Sequence, residues 1–201
     1  MSQYSDEQIH QIVHSVLQKT LGATTAANPV PPAPATENVK PVASTPASSP
    51  TKQIVAIGTD HGGVDLKETL KKDLVEMGYE VIDCGTNTKD AVDYPDLALA
   101  VAQLVASGKA WRGIVIDGAG IGSCMAANKV PGVRCAMCYD VSTALNSREH
   151  NDANVLSLGA GLIGVNLAKQ IMKTWLTTDF GGGRHAGRVN KIIAIEKSYL
   201  K

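Results

Sequence analysis

The chain has 201 residues, with Lys+Arg and Asp+Glu both at 19, so its formal net charge is zero. That balance excludes the basic footprint of a nucleic-acid binder, and no apolar run reaches the ~18 residues a membrane span requires. With 44% apolar but only 4% aromatic residues, any core must come from Val, Ile, Leu and Ala.

The first element is a short amphipathic helix. Ser5 and Gln8 have capping-box spacing, and Ile9, Ile12, Val13, Val16, Leu17 and Leu21 form one apolar stripe that Gly22 can close. From Ala23 to Lys52 the composition is Ala, Thr, Ser and Pro, with seven of the nine prolines, which predicts an extended, disordered linker. Residues 1–22 on such a tether resemble the encapsulation peptides that direct enzymes into bacterial microcompartments. The likeness implies shell proteins as partners through residues 5–21. The alternative is an oligomerisation or docking helix of unrelated purpose. No signal-peptide core follows Met1, and the four cysteines read as reduced thiols, so a cytoplasmic location is expected, inside a microcompartment if the likeness holds.

The globular domain is expected over 53–201. Ile54-Val-Ala-Ile57 reads as a buried strand, Val64 to Met77 as a helix with apolar Val64, Leu66, Leu70, Leu74 and Met77, and Tyr79 to Asp83 as a second strand. A strand–helix–strand unit of this kind implies a parallel sheet with a right-handed crossover. Asp60 and His61 stand at the carboxyl end of the first strand, the edge where open α/β sheets bind ligands. The plainer reading of that pair is loop hydrogen bonding. A polar loop ends in Asp93-Tyr94-Pro95, and Leu97 to Ser107 reads as an alanine-rich helix.

Gly113 to Lys129 carries the chemistry. Gly113-Ile-Val-Ile116 is a β-branched buried run, then come Asp117, glycines at 118, 120 and 122, and a helix-compatible stretch from Ser123 to Lys129. A strand, a glycine turn and a helix start aim unpaired backbone N–H groups at one point, where an anion is held by those groups and the helix dipole. A carboxylate beside such a hole is what proton abstraction from a carbon acid needs, the hole stabilising the oxyanion that forms. The alternative is close helix–strand packing. The G-x-G-x-G spacing matches neither the dinucleotide fingerprint nor a P-loop.

Val133 to Tyr139 follows as a strand. Its Cys135 and Cys138 have C-x-x-C spacing but would point to opposite faces, which argues against a zinc or redox pair. Helices over Val141–Glu149 and Gly164–Leu176 flank a strand at Val155–Leu158, and a last helix is expected from Arg188 to Tyr199. The alternation predicts an α/β fold, a three-layer Rossmann-like sandwich around a five-stranded, mostly parallel sheet.

Gly58-Thr-Asp-His-Gly-Gly, Asp93-Tyr-Pro, Gly118-Ala-Gly-Ile-Gly, Ala126-Ala-Asn-Lys, Arg148-Glu-His-Asn-Asp-Ala-Asn-Val-Leu and Gly182-Gly-Arg-His stand in this order over roughly residues 53–200. Together they resemble the type B ribose-5-phosphate isomerases and the related galactose-6-phosphate isomerase subunits. The resemblance implies aldose–ketose isomerisation of a sugar phosphate through an enediolate, without metal or organic cofactor. It also implies a homodimer or dimer of dimers with active sites at the interface.

By the same resemblance Asp117 stands where relatives often have a cysteine base, and Gly118, Gly120 and Gly122 belong to the enediolate hole. His150 matches the histidine credited with ring opening. His61, Arg184 and Arg188 match phosphate ligands, and His185 is an added candidate. Asp60, Tyr94, Asn128 and Asn151 complete the expected substrate contacts. Three positions depart from the pattern. Asp117 replaces the cysteine, Ala119 replaces a threonine that helps hold the enediolate, and Gly161 replaces a phosphate-binding arginine. The glutamate that some members use instead is Ser123 here, with Cys124 beside it. Ribose 5-phosphate is the expected substrate. The alternatives are another pentose or hexose phosphate, or an inactive homologue that only binds sugar phosphates.

Overall fold

The computed structural model describes residues 53–200, together with Glu7 and Gln11, two exposed helical positions before them. The rest of the expected 5–21 helix and the whole 23–52 linker lie outside the described residues.

Five strands form one sheet in the order β2-β1-β3-β5-β4, where β1 is Ile54–Thr59, β2 Glu80–Asp83, β3 Arg112–Asp117, β4 Cys135–Met137 and β5 Val155–Gly159. All four pairings are parallel. Six helices complete the described fold: α1 Val64–Glu76, α2 Tyr94–Ala106, α3 Ile121–Ala127, α4 Val141–Glu149, α5 Val165–Thr177 and α6 Gly183–Tyr199. None of the described helices is long and apolar enough to cross a membrane.

Both sheet faces are covered, as a period-2 side-chain pattern in β-branched strands requires. Val55, Ile57, Ile114, Ile116, Leu156 and Leu158 point to one side and pack on α1, α4 and α5, with Trp175 fully buried among them. Ala56, Val115 and Val155 point to the other side, under α2 and α3. On that second side the strands carry small residues, so α2 lies close. A Cβ at Gly113 would fall 2.6 Å from Val101 Cγ1, and one at Gly58 would fall 2.8 Å from Val101 Cγ2.

Three expected boundaries move for local reasons. α2 begins at Tyr94 rather than Leu97, with Pro95 in its first turn, where a fixed φ is favourable and no N–H is missed. β4 shrinks to three residues at the sheet edge, although Cys138 N–H still donates to Ser157 O at 3.1 Å. α6 begins at Gly183, so Arg184 and Arg188 both belong to one helix, four residues apart.

The strand order reverses between β1 and β3, and the crevice above their carboxyl ends is where parallel α/β sheets present ligands.

Candidate active site

The loop after β1 forms the first wall of that crevice. Asp60 Oδ1 accepts from Gly62 N–H at 2.9 Å and caps a single 3-10 turn over His61–Gly63. His61 is exposed, and its Nδ1 accepts from Val92 N–H at 3.4 Å. A neutral imidazole that accepts at Nδ1 carries its proton on Nε2, so His61 offers the crevice a donor. The loop carrying Val92 is anchored by Lys67. This fully buried ammonium donates to both Asp83 oxygens, Thr86 O and Asn87 Oδ1 at 2.7–3.0 Å.

The second wall is the glycine loop after β3. Gly120 has φ +80, and an added Cβ would fall 2.9 Å from Leu158 C, so this left-handed position both requires and rewards glycine. Asp117 is 5% exposed. Its Oδ1 accepts from Ala119 N–H (2.9 Å) and from Gly120 N–H, and its Oδ2 accepts from Ser123 N–H (2.8 Å). Here the structure corrects the expectation of a carboxylate poised over an empty cradle. Asp117 turns back into its own loop and fills part of that cradle, because three otherwise orphaned amides converge on the nearest anion. The N–H groups of Gly118, Ile121 and Gly122 are those left free of it.

Two hydroxyls that sequence reasoning missed hold the loop from behind. Tyr139 Oη donates to Ala119 O at 3.2 Å, and Ser157 Oγ donates to Gly120 O at 2.6 Å. Ser157 could have been suspected, since it is a buried polar residue in an otherwise apolar strand. Tyr139 carried no such signal. Gly161 N–H donates to Gly118 O at 2.9 Å, placing the position of the missing arginine beneath the loop. Tyr94 joins the cluster, its ring lying so close to Gly122 that a Cβ there would be 2.5 Å from Cε2. A Cβ on Gly62 would be 3.8 Å from Gly118 N, so the walls at Asp60-His61 and at the glycine loop are neighbours.

The remaining candidates gather elsewhere. His150 caps the end of α4, its Nδ1 paired with Asn146 Nδ2 at 2.8 Å, and Asn151 donates to Asn146 O and Oδ1 at 3.3 Å. Asn146 is a further residue that sequence reasoning passed over. His185 of α6 stacks on His150 with ring centroids 4.1 Å apart. Desolvation, then His150, Arg184 and Arg188, lower the His185 imidazole below its ordinary 6.5. Arg148 fixes this corner by donating to Thr178 O and Asp152 Oδ1, while Gly181 N–H donates to Glu149 O.

These two clusters lie at opposite edges of the sheet. Asp117 pairs with Gly159 at the carboxyl end, while His150 precedes Val155, which pairs with Gly113 at the amino end. Four strand steps of ~3.3 Å separate those levels by about 13 Å. One chain therefore does not bring His150, Asn151, Arg184 and Arg188 to Asp117. Asn128 belongs to neither group. Its amide donates to Cys124 O and Cys135 O and accepts from Cys135 N–H, so it ties α3 to β4 rather than facing the crevice. Among the described residues no three His, Cys, Asp or Glu side chains gather as metal ligands would.

Residues 55–192 match the ribose/galactose isomerase family. The chain belongs to that family. Ribose-5-phosphate isomerase B of Escherichia coli is 46% identical over 143 residues, covering 71% of this chain and 96% of that protein. D-erythrulose-4-phosphate isomerase of Pectobacterium atrosepticum is 43% identical over 139 residues, covering 69% and 91%. Among solved structures, ribose-5-phosphate isomerase B of Clostridium thermocellum superposes with a TM-score of 0.73 at 53% identity, covering 74% of this chain and all of that one. The family match takes in both clusters and ends at Ile192 within α6, while residues 1–54 precede it.

Proposed function

We propose that the protein interconverts an aldose phosphate and its ketose, ribose 5-phosphate and ribulose 5-phosphate being the first choice. The observation that carries this reading is the Asp117 carboxylate, buried in a glycine loop at the β1/β3 crevice and flanked by Asp60 and His61. Asp117 takes the proton from the carbon beside the carbonyl and returns it to the neighbouring carbon. Gly118, Ile121 and Gly122 N–H groups face the enediolate oxygens, and His61 Nε2–H and the two α6 arginines hold the phosphate. Forked guanidinium donors suit a phosphate, since they bind two oxygens at once. His150 transfers the ring-opening proton. Turnover on this reading needs no metal, so a chelator leaves the rate unchanged.

The split between the two sheet edges supports a homodimer, or a dimer of dimers, in which one copy supplies Asp117 and its partner supplies His150, Arg184 and Arg188. A two-fold axis makes this economical, because one contact completes two sites. Residues 1–22 are proposed as a helix that directs the enzyme to a microcompartment shell. A reporter carrying them should co-purify with shell, and a diffuse reporter overturns that part.

A second reading, an inactive sugar-phosphate binder, is favoured by the three N–H bonds already made by Asp117. Proton NMR in D₂O with a panel of tetrose, pentose and hexose phosphates separates the two. The first reading requires solvent deuterium at the reacting carbon of one substrate together with its ketose. Binding without exchange across the panel supports the second.

A further inference from the structure

Two thiols that the isomerisation does not use lie together where α3 meets β4, the Cys124 sulfur against the Cys135 backbone. Cys124 lies in the middle of α3, half-buried, against a cavity of about 500 Å³ that it shares with Ile121, Met125, Asn128, Lys129 and Met137. Cys135 opens β4 on the strand side that also carries Met137, packed with the cluster beneath α2 and α3. Its C-x-x-C neighbour Cys138 points the other way, into the core under α4 and α5, so the motif spacing is irrelevant to the contact.

As a thiol, Cys124 Sγ donates to Cys135 O at 3.4 Å. As a thiolate it accepts a hydrogen bond from the Cys135 thiol and from Asn128 Nδ2 at 3.6 Å. Asn128 also grips the backbone of both cysteines, through Cys124 O at 3.0 Å, Cys135 O at 2.9 Å and Cys135 N at 2.8 Å. The Cys135 hydrogen bond outweighs burial and brings Cys124 down to about 7. The same contact, with burial, drives Cys135 well up. Burial raises Cys84, and raises Cys138 to about 11. One thiol is thus ionised near neutrality, beside a thiol that stays protonated and a lysine lining the cavity. This is the setting in which cysteines react with peroxides.

We propose that Cys124 and Cys135 are a peroxide-responsive dithiol, Cys124 attacking and Cys135 resolving. The Cys124 thiolate attacks a hydroperoxide, a sulfur–oxygen bond forms, the peroxide bond breaks, and the alkoxide or hydroxide released takes up a proton. Cys135 sulfur then attacks Cys124 Sγ, the disulfide forms, and the hydroxyl leaves as water with the Cys135 proton. Two thiols lose two electrons to one peroxide, and a small dithiol reductant reverses the change. The bond would bolt α3 to β4 one residue from Ser123, whose N–H holds Asp117.

The test uses the full-length protein and hydrogen peroxide, and does not depend on which sugar is turned over. Titratable thiols should fall from four to two, with peptides containing 124 and 135 joined and lighter by two hydrogens. Cys135→Ser should instead accumulate a sulfenic acid at Cys124 that a cyclic diketone traps, and Cys124→Ser should keep all its remaining thiols. Four surviving thiols, a link through Cys138, or an intermolecular link overturns the proposal. So does Cys124 alkylating at pH 7 no faster than Cys84.

Discussion

Asp117→Asn separates the loop-holding role seen for this side chain from the base role proposed for it. Each carboxylate oxygen offers two lone-pair directions. Oδ1 uses both, on Ala119 and Gly120 N–H, whereas Oδ2 uses one, on Ser123 N–H. The remaining lone pair of Oδ2 is the place for a substrate proton. Asparagine can keep both Oδ1 bonds, but it puts an NH₂ where Oδ2 was, removing that lone pair and setting a donor against the Ser123 donor. The loop then loses one charge-assisted hydrogen bond, about 1.5–3 kcal/mol. For a domain of this size that is a fall in Tm of about 5–10 °C. Loss of a general base costs ~10²–10⁴ in rate. The assay pairs ketose formation with deuterium incorporation at the reacting carbon and a melting curve. Exchange within tenfold of the parent, with the expected loss of Tm, would show that the carboxylate only holds its loop. An unchanged Tm would contradict the three bonds themselves.

Mixing Asp117→Asn with His150→Ala, each inactive alone, should restore about a quarter of parental turnover after subunit exchange, since half the random dimers carry one intact site; no recovery refutes the shared site. Gly122→Ala should displace the Tyr94 ring and raise KM, and adding Tyr94→Ala should relieve the clash without restoring affinity, read from steady-state kinetics. Lys67→Met should cost about 1.5–3 kcal/mol at pH 7 by urea unfolding, because Asp83 keeps Lys71 but loses the Lys67 ammonium, and Thr86 O and Asn87 Oδ1 lose their donor. Burial of Asp83 opposes ionisation, but the Lys67 and Lys71 hydrogen bonds prevail and hold it below 3.8. Its contribution is therefore present above 3.8 and lost as the pH falls through its lowered value, so the gap between variant and parent should close in acid. Alkylation of Cys124 should rise through pH 7 and level off above it, while the other thiols still accelerate. A Cys124 rate that keeps climbing with the rest refutes the lowered thiol.

Strand periodicity made the sheet legible. The continuous apolar runs Ile54–Ile57 and Gly113–Ile116 foretold strands buried on both faces, and the glycine run after Asp117 foretold the loop. What escaped was direction. Nothing in Asp117-Gly-Ala-Gly reveals whether the carboxylate points out over the amides or back among them, because both keep the same backbone. Tyr139 and Ser157 were hidden for a related reason, since one supports the loop from the bend after β4 and the other from β5, each through a hydroxyl whose partner is a carbonyl far away in sequence. Asn128 misled because its motif context suggested substrate, whereas its amide mimics a backbone pair for Cys135.

The two edges of the sheet set how such a site can be assembled. In a parallel sheet every β-to-α loop lies at one edge and every α-to-β loop at the other, so residues after β3 and residues before β5 cannot meet within one chain. Asp117 belongs to the first class, His150 to the second, and the α6 arginines follow α5 down to that same second edge. On the proposed roles, proton abstraction and the arginine share of phosphate capture fall at opposite ends of one subunit. Only an arrangement that sets the amino-end edge of one copy against the carboxyl-end edge of another assembles both, and it would also bring the His150–His185 stack to the rim of the crevice, where a ring-opening proton is needed. Isolated subunits should then bind phosphate weakly and turn over nothing, however well each one is folded.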